Sequence, residues 1–156
     1  MQNHKTQCGK SITTVFAALL LAFGLSHAAQ ADGRRSIVGL WSVHYVSNAG
    51  GPDVLTYDQW HSDGLEMEAA NVAPGAVCQG TYHQSRDGTA HNYHVAWTFD
   101  ANGVYSGYWT ENFTVTVSND GTTYSGTYTT DFYDVNGNFL FEDYGTLTAT
   151  RLTVGY

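Results

Sequence analysis

From Ser36 onward the chain alternates apolar and polar residues with a period of two. Trp41, Val43 and Tyr45 open the series, and Leu65, Met67 and Ala69 continue it. Tyr93, Val95, Trp97 and Phe99 follow, then Phe113, Val115 and Val117, then Phe139 and Phe141, then Leu147 and Ala149. Successive side chains of a strand leave opposite faces, so this period describes strands buried on one side. Thr, Tyr, Val and Phe, which pack well on a pleated surface, fill these segments. No convincing helical pattern competes with them after Ser36.

The turns divide the pattern into units. Ser62-Asp63-Gly64, Arg86-Asp87-Gly88 and Asn119-Asp120-Gly121 each offer the glycine that a tight hairpin needs at positive φ. Between them fall Asp100-Ala101-Asn102-Gly103 and Asp134-Val135-Asn136-Gly137, a second turn chemistry built on Asp and Asn. Ser47 to Asp53 and Ala70 to Ala76 supply the two remaining connections of that second set. The spacing predicts eight strands, over 37–46, 54–61, 65–69, 77–85, 89–99, 104–118, 122–133 and 138–153.

If neighbours in sequence pair antiparallel, the Asp-Gly turns share one narrow end and the longer connections share a wide end. An open sheet of this kind leaves two edges free to aggregate, whereas closure removes both and encloses room for one small ligand. The expected fold is therefore all-β, a single up-and-down antiparallel eight-stranded barrel. Gly80, Gly107, Gly126 and Gly145 fall inside strands, where they permit the bends of a small barrel.

Ahead of this pattern, Lys5 and Lys10 precede an apolar run from Ile12 to Leu25 and the small-residue site Ala29-Gln30-Ala31. That order is the grammar of a secretory signal peptide, with cleavage after Ala31. The run is shorter than the roughly 20 residues of a spanning helix, so no membrane span is expected after cleavage. Residues 1–31 are read as the leader and 32–156 as the domain, placed outside the cell or in the periplasm.

Composition adds exclusions. With 42% hydrophobic and only 13% charged residues, the chain suits one globular domain and argues against disorder or a coiled coil. Acidic residues number 14 against 6 Lys and Arg, and both lysines lie in the leader. Such a surface repels phosphate, so nucleic acid is not an expected partner. Cys8 departs with the leader, leaving Cys78 without an intrachain mate; it is read as a small buried hydrophobe.

Gly39-Leu40-Trp41 at the first strand and Arg151 near the end of the last resemble the calycin superfamily, which includes lipocalins, fatty-acid-binding proteins and avidins. The resemblance implies that Trp41 packs beneath Arg151 and closes the barrel floor, a cation–π lid on the end where the first strand leaves and the last arrives. The long helix and disulfides of many lipocalins are missing. The run Gln59-Trp60-His61-Ser62-Asp63-Gly64 resembles small bacterial secreted proteins of calycin-like type, and brings no activity with it.

Candidate chemistry is sparse. His91 and His94, three apart, face opposite ways on one strand, and the remaining histidines show no recognised ligand spacing. No metal and no cofactor is expected. His61-Ser62-Asp63 has the letters of a triad but runs along one chain into a hairpin, and triads form by approach in space. Asp134, Asn136 and Asn138 mimic a calcium loop whose glycine is misplaced and whose distal Glu is absent.

More informative are two acids on apolar faces. Glu111 shares parity with Trp109 and Phe113, and Asp143 with Phe141 and Leu147. Buried charges need partners, for which Arg151, His61, His91, Tyr93 and Tyr128 stand available. Tyr45, Tyr57, Trp97, Trp109, Phe132 and Phe141 complete an aromatic mouth at the wide end. The expected partner is a small apolar or aromatic molecule inside a lipocalin-like barrel, with Glu111 or Asp143 meeting its polar group. The alternatives are an isomerase or cyclase moving a proton with an interior carboxylate, His or Tyr, and haem binding through a single His.

Overall fold

A computed structural model describes residues 35–72 and 76–154, so the expected leader lies outside the described residues. Eight strands follow one another as β1 (Gly39–Ser47), β2 (Val54–Trp60), β3 (Leu65–Ala70), β4 (Ala76–Gln84), β5 (Thr89–Phe99), β6 (Tyr105–Val117), β7 (Thr123–Asp134) and β8 (Phe139–Arg151). Each pairs antiparallel with the next, and β8 returns to β1 to close the barrel. Both ends of all eight strands fall within two residues of those that the turns indicate. No α-helix occurs among the described residues.

The turn chemistry is as the sequence implies. Gly64, Gly88 and Gly121 take positive φ of 88°, 90° and 73° at one end of the barrel. At the other end the Asp100 carboxylate accepts from the backbone N–H of Asn102 and Val104, and Asp134 accepts in the same way from Asn136 and Asn138. A self-bonding carboxylate of this sort rigidifies a turn without needing help from the rest of the fold.

The narrow end is plugged. Ile37, Trp41, Val43, Phe113, Val115, Val117, Tyr124, Leu147 and Ala149 form a dry core there, and each large side chain fully buried contributes roughly 1.5–3 kcal/mol. Trp41 donates its indole N–H to the Ile37 carbonyl at 2.7 Å, and the Arg151 guanidinium carbon lies 4.1 Å from the centre of the indole. The Arg151 guanidinium also donates to the carbonyls of Gly121, Val38 and Ser36, tying a turn and the N-terminal strap across the floor. A Cβ on Gly39 would sit 2.5 Å from Arg151 Nη1, and φ there is +141°. The glycine of the Gly-x-Trp motif is thus the space that the arginine occupies.

Three strands face the opposite way from the hydrophobic alternation. On β2, β3 and β5 the residues turned inward are Thr56, Asp58 and Trp60, Glu66 and Glu68, and Ala90, Asn92, His94 and Ala96. Tyr57, Leu65, Met67, Tyr93, Val95 and Trp97 are exposed on the outside. Register decides this. Once β6 and β1 bury Phe113, Val115 and Trp41, pairings such as Trp41 with Asp58, Asp58 with Glu68 and Asn92 with Phe113 carry one face around the closed sheet.

Candidate functional site

The inverted strands place a polar layer above the dry floor. One cross-strand row runs Glu66, Gly80, His94, Glu111, Thr130 and Asp143, each paired with the next. Asp58, Glu66, Glu68 and Glu111 are all buried, and His94 is the only imidazole among them. A Cβ on Gly80 would lie 2.5 Å from His94 Cβ and 2.9 Å from Glu66 Oε2, so this in-strand glycine makes the room in which His94 and Glu66 meet.

Each group in the layer has a defined partner. His94 Nδ1 lies 3.1 Å from Glu66 Oε2 and 3.4 Å from Asn92 Nδ2. His94 Nε2 faces Glu111 Oε1 at 3.2 Å, an ion-pair distance without the alignment of a hydrogen bond. Thr130 donates its hydroxyl to Glu111 Oε2. Tyr45 donates to Glu68 Oε2 at 2.7 Å, while Glu68 Oε1 lies 3.6 Å from Cys78 Sγ. Tyr124 and Thr56 donate to Asp58 at 2.6 and 2.8 Å.

Burial sets the protonation of this layer. Loss of water, and then the Glu66 charge, push the Asp58 carboxyl from 3.8 up to about 7. Burial, and then Asp58, hold Glu68 well above the usual carboxylate range. Burial alone would pull His94 down, but the facing oxygens of Glu111 and Glu66 hold it well above an ordinary imidazole. Burial, and then Glu68, raise both Tyr45 and Cys78, so the phenol and thiol remain neutral donors. The layer thus favours a proton on His94 and on the Asp58 and Glu68 carboxyls beside it.

Above the layer the barrel opens as a cup of about 290 Å³. Its walls include Val54, Ala70, Val72, Ala76, Trp109 and Phe132, and its polar groups come from Tyr45, Glu68, Glu111, Tyr128, Thr130 and Asp143. Asp143 accepts from Ser47 at 2.5 Å and from Tyr128 at 2.9 Å, fixing one carboxylate at the side of the cup. Apolar walls with a few placed polar groups are the ordinary composition of a small-molecule site, although this one lies at the small end of the roughly 300–1,000 Å³ range.

The residues singled out from sequence divide accordingly. Tyr45, Trp109, Glu111, Tyr128, Phe132 and Asp143 line the cup. Trp97 borders it at the rim but belongs to the outward set of β5 and is 64% exposed, which corrects its expected inward place. Phe141 stacks on Phe132 with ring centres 4.3 Å apart, outside the lining itself. Tyr57 and Tyr93 lie on the outer face, turned away by the register of β2 and β5, and His61 sits exposed at a narrow-end hairpin. Glu111 therefore meets His94 and Thr130 in place of the His61, His91 or Tyr93 that parity offered.

Sequence reasoning missed Asp58, Glu66, Glu68 and His94. Their one signal is the run Leu65-Glu66-Met67-Glu68, in which two acids share a parity that pairing with β2 and β4 turns inward. No family model, no curated protein and no solved structure matches this chain.

Proposed function

We propose that this is a secreted or periplasmic lipocalin-like binding protein that takes a small, largely apolar or aromatic molecule bearing a hydrogen-bonding group into the cup. The observation that carries the reading is the cup itself, with Trp109 and Phe132 in its wall and the carboxyls of Glu68, Glu111 and Asp143 at its polar side. Its volume of about 290 Å³ favours a compact molecule over a long lipid chain. No histidine is among the lining residues, so haem binding through a single His draws no support from the cup.

The test is titration with an apolar, environment-sensitive fluorophore such as an anilinonaphthalene sulfonate. Phe132→Glu, which puts a charge in the wall, should weaken binding at least about tenfold, equivalent to about 1.4 kcal/mol. Val95→Ser, on the apolar outer face, should leave binding unchanged. Equal affinities for the wild type and Phe132→Glu, with the far-ultraviolet spectrum intact, would place the fluorophore elsewhere and overturn the reading.

A further inference from the structure

We propose that the layer beneath the cup is a binding site for a zinc-type transition-metal ion, held by Cys78, His94, Glu68 and Glu111. Ligand atoms of Glu68, Cys78 and His94 already lie within 4.8 Å of one another, and all three residues are buried. They come from β3, β4 and β5, with Glu111 from β6, so four successive strands each contribute one donor.

The orientation of the donors points to a common guest. Glu68, Glu111 and His94 each have one atom held by the protein and another left over. Tyr45 holds Glu68 Oε2, Thr130 holds Glu111 Oε2, and Glu66 with Asn92 holds His94 Nδ1. The atoms left over are Glu68 Oε1 against the Cys78 thiol, and Glu111 Oε1 against His94 Nε2. The last two are buried and without a hydrogen-bond partner. Carboxylate-to-histidine contacts of the Glu66 type are how metalloproteins fix the tautomer and direction of a ligating imidazole.

Two of the six edges of a tetrahedral site are already set. Zinc bonds of about 2.3 Å to sulfur and about 2.0–2.1 Å to nitrogen or oxygen give ligand-to-ligand edges of about 3.6 Å for sulfur–oxygen and about 3.3 Å for nitrogen–oxygen. The corresponding separations are 3.6 Å for Cys78 Sγ to Glu68 Oε1 and 3.2 Å for His94 Nε2 to Glu111 Oε1. Sulfur and imidazole donors select zinc, cobalt or a neighbour over calcium or magnesium, which take oxygen alone.

Charge argues the same way. Four buried carboxylates stand with one imidazole, and the arginines of the described residues lie elsewhere, Arg151 at the floor and Arg35 and Arg86 exposed. A dication offsets the charge of such a cluster, and the thiol proton leaves for solvent as the thiolate binds. Glu68 and Glu111 face both the cup and the cluster, so the cup provides the way in.

The experiment is cobalt titration of the chelator-treated full chain with no organic ligand added, which separates it from the proposed binding in the cup. One equivalent of Co²⁺ should give tetrahedral visible bands and a thiolate charge-transfer band in the near ultraviolet. Zn²⁺ should displace them. Cys78→Ser should lose the charge-transfer band, and Glu66→Gln, which removes only the outer partner of His94, should weaken binding by roughly 10–100-fold. Failure to take up cobalt, uptake without the charge-transfer band, or a band that survives in Cys78→Ser overturns the proposal. Should Cys78→Ser fail to fold, the wild-type spectrum decides alone, its charge-transfer band supporting the site and the lack of one refuting it.

Discussion

Replacing Arg151 by Ala tests how the barrel is closed. The guanidinium donates to Gly121 O at 2.6 Å and Val38 O at 2.7 Å, reaches Ser36 O, and lies 4.1 Å from the centre of the Trp41 indole. Charge-assisted hydrogen bonds contribute about 1.5–3 kcal/mol each when sheltered, and less where water can replace the donor, as at the exposed Val38. Counting about 1 kcal/mol per bond, with a cation–π contact of about 0.5–1 kcal/mol, Arg151→Ala should cost about 3.5–4 kcal/mol. That is a large share of the roughly 5–15 kcal/mol that stabilises a domain. Urea unfolding followed by far-ultraviolet circular dichroism reads it as a midpoint lowered by about 1–2 M, at unchanged slope. Arg151→Lys keeps the charge but cannot span three carbonyls, and should recover less than half of the loss. A cost below about 1 kcal/mol for Ala, or a Lys variant as stable as the wild type, would refute the floor as the fastening of the barrel.

Gly39→Ala should destabilise by about 1–3 kcal/mol, through the strain of φ +141° and through a Cβ 2.5 Å from Arg151 Nη1. In the Arg151→Ala background the steric part vanishes, so a double-mutant cycle from urea melts should be clearly non-additive; simple additivity would exclude the clash. Asp58 gives a pH dependence. Its carboxyl titrates at about 7 when folded against 3.8 when unfolded, so between those values the native state holds a proton that the unfolded chain has released. Stability must therefore fall as pH rises through that window, by an amount on the order of a few kcal/mol. The raised Glu68 acts in the same direction, and His94, also raised, loses its contribution as pH climbs through its folded value. Urea melts of chelator-treated protein at about pH 5 and about pH 8 should show the loss, and Asp58→Asn should flatten the slope; equal wild-type stability at the two pH values would contradict the buried acid.

Element order and closure were legible because their signals are local. An Asp-Gly or Asp-x-Asn-Gly turn stabilises itself, as the bonds from Asn102 and Val104 to Asp100 show, so its sequence alone locates the ends of two strands. Trp41 and Arg151 are legible for a different reason. They are far apart in the chain, but a closed meander of eight strands brings its first and last segments to one end, and the calycin resemblance singled out these two residues there. Glu111 and Asp143 were visible as acids on apolar faces, which is where each one is found. Tyr128 was among the partners on offer and does donate to Asp143, but the partners of Glu111 were missed, because a strand's parity says which face a residue shares and nothing about which side chain stands across from it.

The facing of β2, β3 and β5 was illegible on physical grounds. Alternation reads inside from outside by assuming that apolar residues are the ones buried, and on β3 that assumption turns Leu65 and Met67 inward and Glu66 and Glu68 outward. A closed barrel cannot choose strand by strand. β1 and β6 bury aromatic and branched residues at the floor, and antiparallel pairing then fixes the inward set of every strand between them, whatever its composition. The cost of bringing Asp58, Glu66, Glu68 and Glu111 out of water is offset by named hydroxyl donors, by His94 and by retained protons, an arrangement more elaborate than a folding core requires. Hydrophobic residues would have filled the same volume at less expense of free energy. Where a chain keeps charges inside and leaves Tyr57, Tyr93 and Trp97 in solvent, the pattern that defeats the hydrophobic reading also marks where its chemistry lies.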